Sequence, residues 1–531
     1  MPGRGDDALL GEANEHRLAS CLMKENPPKI CVPVCVQQAS ELGLAISRAD
    51  EVADIVEVRL DCLVNDQHDA AFQFLRDHLN RERAPMILTF RRAEEGGRAA
   101  TDYEARRGFW VALKKLTGGD LMDLELDLVQ GFDTEKASID WSRVICSHHD
   151  FSGVPSDLDQ VYQRMAATPA RIVKIAVRAN DATDCIPIFH LLERAQREGH
   201  EMIAIAMGQA GIMTRILGPS RGSFLTYGAF NDESATAPGQ LTAGELREVY
   251  RIDRINQETK IIGLIGNPVG HSLSPHIHNA AFDTAKTNAV YIPIEVGNVG
   301  GFIQRMAHPR SRELDWELHG LSVTAPHKSA VMQFLDWIDP AAREMGAVNT
   351  IVVREDGLHG YNTDASGFTA PLRHRFGSLR DARCAIVGAG GSARAVLWAL
   401  RNEGARVSLF VRDPDKAREL FEEFEVEIER ATNASFAGFD IVVNATPLGT
   451  LGVREHETVA TVSQFRGVRL AYDLVYNPLE TQFLREARAA GSETLGGIEM
   501  LLAQAVEQFK IWIGNAPDVG VMRAAAVRAL E

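Results

Sequence analysis

No Cys-x-x-Cys pair occurs among the seven cysteines of this 531-residue chain, which stand scattered at positions 21, 31, 35, 62, 146, 185 and 384. Their odd number and irregular spacing argue against a disulfide framework or a zinc site and point to a reducing cytoplasm. No apolar run approaches the length that spans a bilayer. The first 28 residues lack a long apolar core and carry several acids, which argues against a secretory signal or a transit peptide; residues 1–28 read as a flexible leader. Positive charge is also scarce: 56 Lys and Arg stand against 72 Asp and Glu, for a net charge of −16. That balance argues against a nucleic-acid surface or partner. An anionic substrate must be drawn by a local arginine cluster, not by the field of the whole molecule. Low-complexity segments and short-period repeats are absent as well.

What the chain does have is length for about three domains and an ordinary globular balance, 45% hydrophobic and 24% charged. From residue 30 to 230, short apolar runs alternate with longer amphipathic spacers: Ile30–Val36, Ile55–Leu60, Met86–Phe90, Leu121–Leu126, Val144–Ser147, Ile172–Val177, Met202–Met207 and Phe224–Phe230. Eight strand-then-helix repeats predict an α/β fold with an N-terminal (β/α)8 barrel; a doubly wound open sheet is the alternative. Thr242-x-x-Glu245 reads as a capping box closing this unit, and a polar stretch at 256–260 follows, so the barrel is expected over residues 29–255.

In a barrel, polar residues at or just beyond the strand ends meet at one mouth. Here these are Glu57 and Arg59, Arg91 and Glu95, His149, Lys174, Arg215 and Gln240. Lys174 is the most telling, because it sits inside the β-branched run Arg171-Ile-Val-Lys174-Ile-Ala-Val177. Burial lowers an amine's pKa, and a neutral amine attacks a ketone to form a Schiff base. Taken alone, the residue is more simply a paired charge, or a head that snorkels to the strand end. Its neighbours reverse that preference. Ser147-His148-His149-Asp150 ends one strand and Lys174 lies in the next, which places a base beside the amine. Glu95 can hold the imidazole in one tautomer, and Arg59, Arg91 and Arg215 can clamp a carboxylate and order hydroxyls.

A new α/β pattern opens at Ile261-Ile-Gly-Leu-Ile265 and runs to about residue 362. The strand-like Arg383–Val387 leads straight into Gly388-Ala389-Gly390-Gly391-Ser392-Ala393, and a helix follows. This is the dinucleotide fingerprint with Ala at its third position; its glycines admit a pyrophosphate to a helix N-terminus. The next strand ends in Val411-Arg412-Asp413. The guanidinium suits the 2′-phosphate of NADP, Asp413 pulls the other way, and NADP is the favoured cofactor. The expected divisions are a substrate domain at 256–364 plus 500–531 and a Rossmann NADP domain at 365–499. Lys328, after Leu321-Ser-Val-Thr324-Ala-Pro, and Asp364, after Tyr361-Asn-Thr363, could relay a proton over a nicotinamide while hydride moves. His271, His276 and His278 share one loop, but no cysteine or acid completes a ligand set, so no metal is expected.

Glu57-Val-Arg59, Thr89-Phe-Arg91-x-x-x-Glu95-Gly-Gly, His149-Asp-Phe, Val173-Lys174-Ile and Ala237-Pro-Gly-Gln240 together resemble type I 3-dehydroquinate dehydratase over about residues 29–250. The resemblance implies a Schiff-base enzyme in which Lys174 forms the imine, His149 is the general acid/base and Glu95 orients it. Arg59, Arg91, Arg215, Thr236 and Gln240 would bind substrate, with Glu57 in support. Thr236 stands where that family usually has serine: the hydroxyl survives and a methyl is added.

Gly270-His-Ser272-Leu-Ser274-Pro, Gly346-Ala-Val-Asn349-Thr, Asn444-Ala-Thr446-Pro-Leu-Gly449, Asp473-x-x-Tyr476-x-Pro and Gly496-Gly497-x-x-Met-Leu-x-x-Gln504 resemble shikimate dehydrogenase over about residues 260–531. That resemblance implies Lys328 and Asp364 as the catalytic pair. Ser272, Ser274, Thr324, Asn349, Thr363 and Gln504 would hold hydroxyls and a carboxylate, Tyr476 would lie near substrate or nicotinamide, and Thr446 and Gly497 would border the dinucleotide. Two departures stand out: Val411 and Asp413 flank Arg412 where Asn-Arg-Thr is common, and Thr450 stands where methionine is frequent.

The two resemblances imply consecutive reactions on small molecules, from 3-dehydroquinate through 3-dehydroshikimate to shikimate with NADPH, and no membrane partner. Three alternatives are an aldolase-like Schiff-base barrel, a second half that acts on quinate, and a non-catalytic quinate-sensing regulator. The last would be expected to lose catalytic residues, and both lysines are present.

Overall fold

Strands buried on both faces carry near-continuous apolar runs, and the eight N-terminal runs form such strands. The computed structural model describes residues 27–78, 84–98, 102–113, 120–132, 139–415, 424, 426–432, 434–452 and 454–530. The expected leader lies outside the described residues as far as residue 26. The barrel strands are β1 (Ile30–Val34), β2 (Ile55–Arg59), β3 (Met86–Thr89), β4 (Leu121–Glu125), β5 (Val144–Asp150), β6 (Ile172–Arg178), β7 (Glu201–Met207) and β8 (Thr226–Tyr227). They pair in parallel in the order β7-β6-β5-β4-β3-β2-β1-β8. The Phe224 N–H donates to the Met202 carbonyl at 2.7 Å and nearly closes the ring. The last strand is much shorter than the run Phe224–Phe230 predicts, because the chain leaves the sheet to build the turn that carries Thr236 and Gln240.

Side chains along a strand alternate between two faces. The inward face reads Ile55-Glu57-Arg59 on β2, Leu121-Asp123-Glu125 on β4, Ile145-Ser147-His149 on β5 and Ile172-Lys174-Ala176 on β6. An apolar layer of Cys31, Ile55, Ile87, Leu121, Ile145 and Ile172 therefore plugs the barrel floor. A polar layer lies above it, and the charged mouth above that. Thr242 and Glu245 do form a reciprocal capping box, with the Thr242 N–H donating at 2.8 Å and the Glu245 N–H at 3.1 Å, but it opens only the π-turn Glu245–Val249.

The second sheet contains β9 (Lys260–Gly266), β10 (Ala289–Glu295), β11 (Leu318–Val323), β12 (Trp337–Ile338), β13 (Thr350–Arg354) and β14 (Gly357–Tyr361), in the order β10-β9-β11-β13-β14-β12. Its edge strand β10 packs against the barrel, and one hydrophobic core runs through both units, from Val177 and Ile216 to Ile292 and Phe302. Burying that edge prevents pairing with another chain. Asp181, beyond β6, accepts from the Gly297 and Asn298 N–H groups at 2.8 and 3.2 Å across the same boundary. The third sheet contains β15 (Arg383–Val387), β16 (Arg406–Val411), β17 (Glu427–Arg430), β18 (Ile441–Asn444), β19 (Leu470–Asp473) and β20 (Glu493–Leu495). All its strands are parallel, in the order β17-β16-β15-β18-β19-β20, the arrangement of a doubly wound dinucleotide-binding sheet.

Two findings differ from expectation or refine it. The structure joins Cys35 and Cys62 in a disulfide, with Cα atoms 5.4 Å apart. A sequence separation of 27 conceals that β1 and β2 are neighbours whose C-terminal ends lie side by side. The three histidines do not share a loop: His276 and His278 lie on the helix Ser274–Thr284, and only His271 precedes it. His278 is fully buried, its ring stacked on Tyr291 at 4.6 Å and set against Trp512, whereas His271 lines a cavity.

Burial holds the His278 imidazole down at about 3. An unfolded histidine titrates near 6.5, so between these values the unfolded chain binds more protons than the fold does. The stability contributed by the neutral ring is full above about pH 6.5 and declines as pH falls toward 3, by up to about 1.4 kcal/mol per pH unit. Urea midpoints measured at pH 7 and pH 5 are expected to fall toward acid, and less steeply in His278→Phe. Equal slopes in the two proteins would count against this account.

Candidate active sites

The inward alternation of the barrel strands brings Glu57, Arg59, Arg91, Glu95, His149, Lys174, Arg215, Thr236 and Gln240 to one cavity at the strands' C-terminal ends. Lys174 is 4% exposed, and its Nζ donates to Asp123 Oδ2 and to the Tyr227 hydroxyl, both at 2.8 Å. Glu57 stands 3.6 Å from the same nitrogen and is fixed by Thr89 Oγ1, which donates to it at 2.8 Å. Asp123 also faces Arg91 at 2.7 Å. Burial opposes its ionisation, but Arg91 and Lys174 outweigh that and hold its carboxyl well below the usual carboxylate range. In this state the amine is a paired charge, as the simpler reading of the isolated residue expects.

His149 and Glu95 form the second element. The His149 backbone N–H donates to Glu95 Oε2 at 3.1 Å, and Nδ1 lies 3.2 Å from the same oxygen. Burial works against the charge on Glu95, but the His149 hydrogen bond and Arg91 hold its carboxyl down at about 2. An ionised carboxylate only accepts, so Nδ1 carries the proton and Nε2 is left as the basic nitrogen. Burial, then Arg91, pull the imidazole down to about 3, so it is neutral and able to accept a proton.

The arginines differ from one another. Arg59 is bidentate to Asp61 at 2.9 and 2.8 Å, and Arg91 is anchored by Asp123 and by Ser147 Oγ at 2.6 Å. Arg215 is 1% exposed with no carboxylate partner among the described residues, and burial draws its pKa down to about 10. A buried, uncompensated guanidinium is costly, and an anionic ligand relieves the cost. Gln240 Oε1 accepts from the Thr236 N–H at 2.9 Å and fixes the turn beside it. Sequence reasoning misses Asp123 and Tyr227. The signal for Asp123 is its place two residues along β4 from Leu121, on the same inward face as Lys174 on β6; Tyr227 offers none.

A second cavity of about 300 Å³ is lined by Ser272, Ser274, Thr324, Lys328, Asn349, Asp364, Tyr476 and Gln504, and also by Ser392 and Gly497. Lys328 Nζ donates to Asp364 Oδ2 at 2.5 Å. Asp364 opens the helix Asp364–Phe376, whose N-terminus favours a carboxylate. Its other oxygen accepts from Asn349 Nδ2 at 2.7 Å. Thr363 stands behind the wall, with its Oγ1 accepting from Asn349 at 3.0 Å. Sequence reasoning also misses Gln508, which lines the cavity, accepts from Ser322 Oγ at 3.2 Å and donates to Thr350 Oγ1 at 3.0 Å.

The fingerprint Gly388–Ala393 spans the end of β15 and the start of the helix Gly391–Asn402, where the strand order reverses. Gly388 adopts φ +116°, and a Cβ there would come within 2.8 Å of the Ala445 carbonyl. At Gly390 and Gly391 a Cβ would meet nothing, so their backbone faces open space at a helix N-terminus. Thr446 Oγ1 donates to Asn444 Oδ1 at 2.7 Å beyond β18. Arg412 is exposed just past β16. This bare cradle with a cation at the next strand end fits a phosphorylated dinucleotide.

Comparison with known proteins matches four stretches of the chain. Residues 30–257 match the family described as type I 3-dehydroquinase, and 264–351 match the shikimate dehydrogenase substrate binding domain. Residues 371–476 match shikimate / quinate 5-dehydrogenase, and 497–527 match the shikimate 5′-dehydrogenase C-terminal domain. The chain is 34% identical to the chloroplastic bifunctional 3-dehydroquinate dehydratase/shikimate dehydrogenase of Arabidopsis thaliana, over 95% of this chain and 85% of that protein. It is 29% identical to the shikimate biosynthesis protein AroDE of Chlamydia pneumoniae, over 91% and 95%. Its second half is 39% identical to the shikimate dehydrogenase (NADP(+)) of Carboxydothermus hydrogenoformans, over 51% of this chain and 98% of that one.

Proposed function

The chain belongs to the family of bifunctional 3-dehydroquinate dehydratase/shikimate dehydrogenase enzymes, and from that premise we propose how its residues divide the work. It is a shikimate-pathway enzyme with lyase and oxidoreductase activities. The barrel dehydrates 3-dehydroquinate to 3-dehydroshikimate, and the second half reduces that product to shikimate. The observation that carries the reading is the presence of two separately equipped cavities, one with Lys174 beside the His149–Glu95 pair and one with Lys328 bonded to Asp364. Residues 29–255 form the first functional unit. Residues 256–364 with 500–531 form the substrate part of the second, and 365–499 its dinucleotide part.

In the barrel, Arg215 takes the substrate carboxylate, with Arg59, Arg91, Thr236 and Gln240 ordering its hydroxyls. Lys174 condenses with the ketone, losing water and leaving a protonated imine. His149 Nε2 removes the adjacent proton while the imine nitrogen accepts the electron pair. The proton held on His149 then leaves with the substrate hydroxyl as water, and hydrolysis of the imine frees the product and Lys174. Glu57 supports the amine, and Glu95 keeps Nδ1 protonated throughout.

In the second half, Ser272 and Ser274 hold the carboxylate, and Thr324, Asn349, Thr363 and Gln504 hold hydroxyls or the groups that do. Lys328 gives a proton to the ketone oxygen as negative charge develops there, and Asp364 holds the ammonium in place. Tyr476 closes the wall. A bound nicotinamide dinucleotide would supply the hydride; Gly388 to Ala393, Thr446 and Gly497 would border it, and Arg412 suits a 2′-phosphate. The relative from Carboxydothermus is named as an NADP(+) enzyme, which supports NADPH here. The reading calls on no metal, because each developing charge faces a side chain able to neutralise it.

Among the described residues no helix is long and apolar enough to cross a membrane. One disulfide among the described residues, Cys35–Cys62, against four buried free thiols at Cys31, Cys146, Cys185 and Cys384 is not a disulfide framework, and on that balance we propose a cytoplasmic location; the Arabidopsis relative is named as chloroplastic. The test is to supply 3-dehydroquinate with NADPH and follow shikimate. Shikimate is expected, and faster than with NADH. Accumulation of 3-dehydroshikimate alone would remove the second activity, and equal rates with NADH would remove the role of Arg412.

A further inference from the structure

Among the described residues, three groups with hydrogen-bond or ion-pair contacts to Lys174 Nζ stand within 3.6 Å of it: Asp123, Glu57 and Tyr227. Two are carboxylates. Asp123 is committed to Arg91 as well and only accepts. Tyr227 differs in kind. It sits on β8 at 7% exposure, lines the cavity, and accepts from Nζ at 2.8 Å, while Nζ lies 4.5 Å from its ring centroid. A hydroxyl accepts and donates at once, so it is the only one of the three that can take a proton from the nitrogen and give another away. Burial, then Glu57, hold the phenol far above its ordinary range. It therefore acts as a neutral relay and not as a phenolate base.

We propose that Tyr227 is a further catalytic residue of the dehydratase, whose hydroxyl passes a proton between the Lys174 nitrogen and the ketone oxygen as the imine forms. The inference rests on the assignment of Lys174 as the imine-forming amine. The step starts with Lys174 as a free amine and His149 protonated at Nε2, one proton having passed from the first residue to the second. The amine lone pair forms the carbon–nitrogen bond, and the carbonyl π pair moves to oxygen. The nitrogen then carries a positive charge and the oxygen a negative one. Tyr227 takes a proton from nitrogen and hands its own to oxygen, giving a neutral carbinolamine and an unchanged phenol. His149 returns its proton to the departing hydroxyl, which leaves as water, and the nitrogen pair closes the protonated imine. The sum is ammonium plus ketone to protonated imine plus water, with no other reactant.

The experiment mixes the enzyme rapidly with 3-dehydroquinate, quenches with borohydride at successive times, and weighs the adduct by mass spectrometry. Tyr227→Phe keeps the ring and its contact with the amine while removing the hydroxyl. Imine formation is expected to slow by about 10²–10⁴-fold, with shikimate oxidation unchanged as a check on the fold. An unmodified enzyme that forms no adduct ends the Lys174 assignment; an adduct that forms equally fast in Tyr227→Phe ends the Tyr227 proposal alone. Should the variant lose shikimate oxidation, the unmodified enzyme in mixed light and heavy water decides. A curved dependence of the imine-formation rate on deuterium content, from two protons in flight, supports the relay; a linear dependence or none overturns it.

Discussion

Lys174→Ala is expected to lower turnover of 3-dehydroquinate by about 10⁴-fold or more, because it removes the atom proposed to form the covalent bond. Shikimate oxidation by the same molecules should continue. The contrast depends on what the substitution leaves behind. Removing one partner of a buried ion pair is usually costly, since the other charge is stranded. Here Asp123 keeps Arg91 at 2.7 Å, and Glu57 keeps the Thr89 hydroxyl at 2.8 Å. The barrel core and the second sheet that shares it therefore lose a cavity's worth of contacts and no more than one counter-charge. Borohydride reduction with 3-dehydroquinate should attach the substrate carbon skeleton to Lys174 in the parent enzyme and nowhere in the variant. Unimpaired dehydration by Lys174→Ala would sink the covalent mechanism.

Asp364→Asn is expected to act on the other half with the same selectivity. An amide keeps the shape of the carboxylate, but it must choose how to face its two donors. If its oxygen continues to accept from Asn349 Nδ2, now at 2.7 Å from Asp364 Oδ1, its NH2 points at the Lys328 ammonium, which sits 2.5 Å from Oδ2 in the parent. Two donors then oppose one another, and Lys328 loses both its orientation and its counter-charge. The kcat for shikimate oxidation should fall by about 10²–10⁴-fold. KM should move far less, because Ser272, Ser274 and Gln504 are untouched, and a loss confined to kcat marks an interaction made in the transition state. Dehydration of 3-dehydroquinate should stay as it is. A variant whose KM rises while kcat holds would recast Asp364 as a binding group.

Much of both candidate sites was legible because several of their residues break a local rule. Lys174 interrupts an apolar strand, Glu57 and Arg59 end another, and the glycines from 388 to 391 punctuate the step from strand to helix. Period-two alternation then assigns the barrel residues to one face, so a shared mouth follows from the count of strands. The fate of each charge was not legible. Lys174 meets Asp123 and Tyr227 from positions 51 and 53 residues away, and whether an arginine is clamped, like Arg59, or left uncompensated, like Arg215, depends on strands that are distant in sequence. The Cys35–Cys62 bond was hidden for the same reason.

By itself, then, the sequence determined the barrel, the dinucleotide unit and the residue types available at each strand end, since hydrophobic period and turn chemistry are local properties. Tertiary structure decided how those groups stand toward one another. It set Lys174 between an acceptor carboxylate and a hydroxyl, left Arg215 without a carboxylate partner among the described residues, and fused the barrel to the edge of the second sheet through one core. Hydrogen bonds and ion pairs change strength within fractions of an ångström, and only the folded chain fixes distances on that scale.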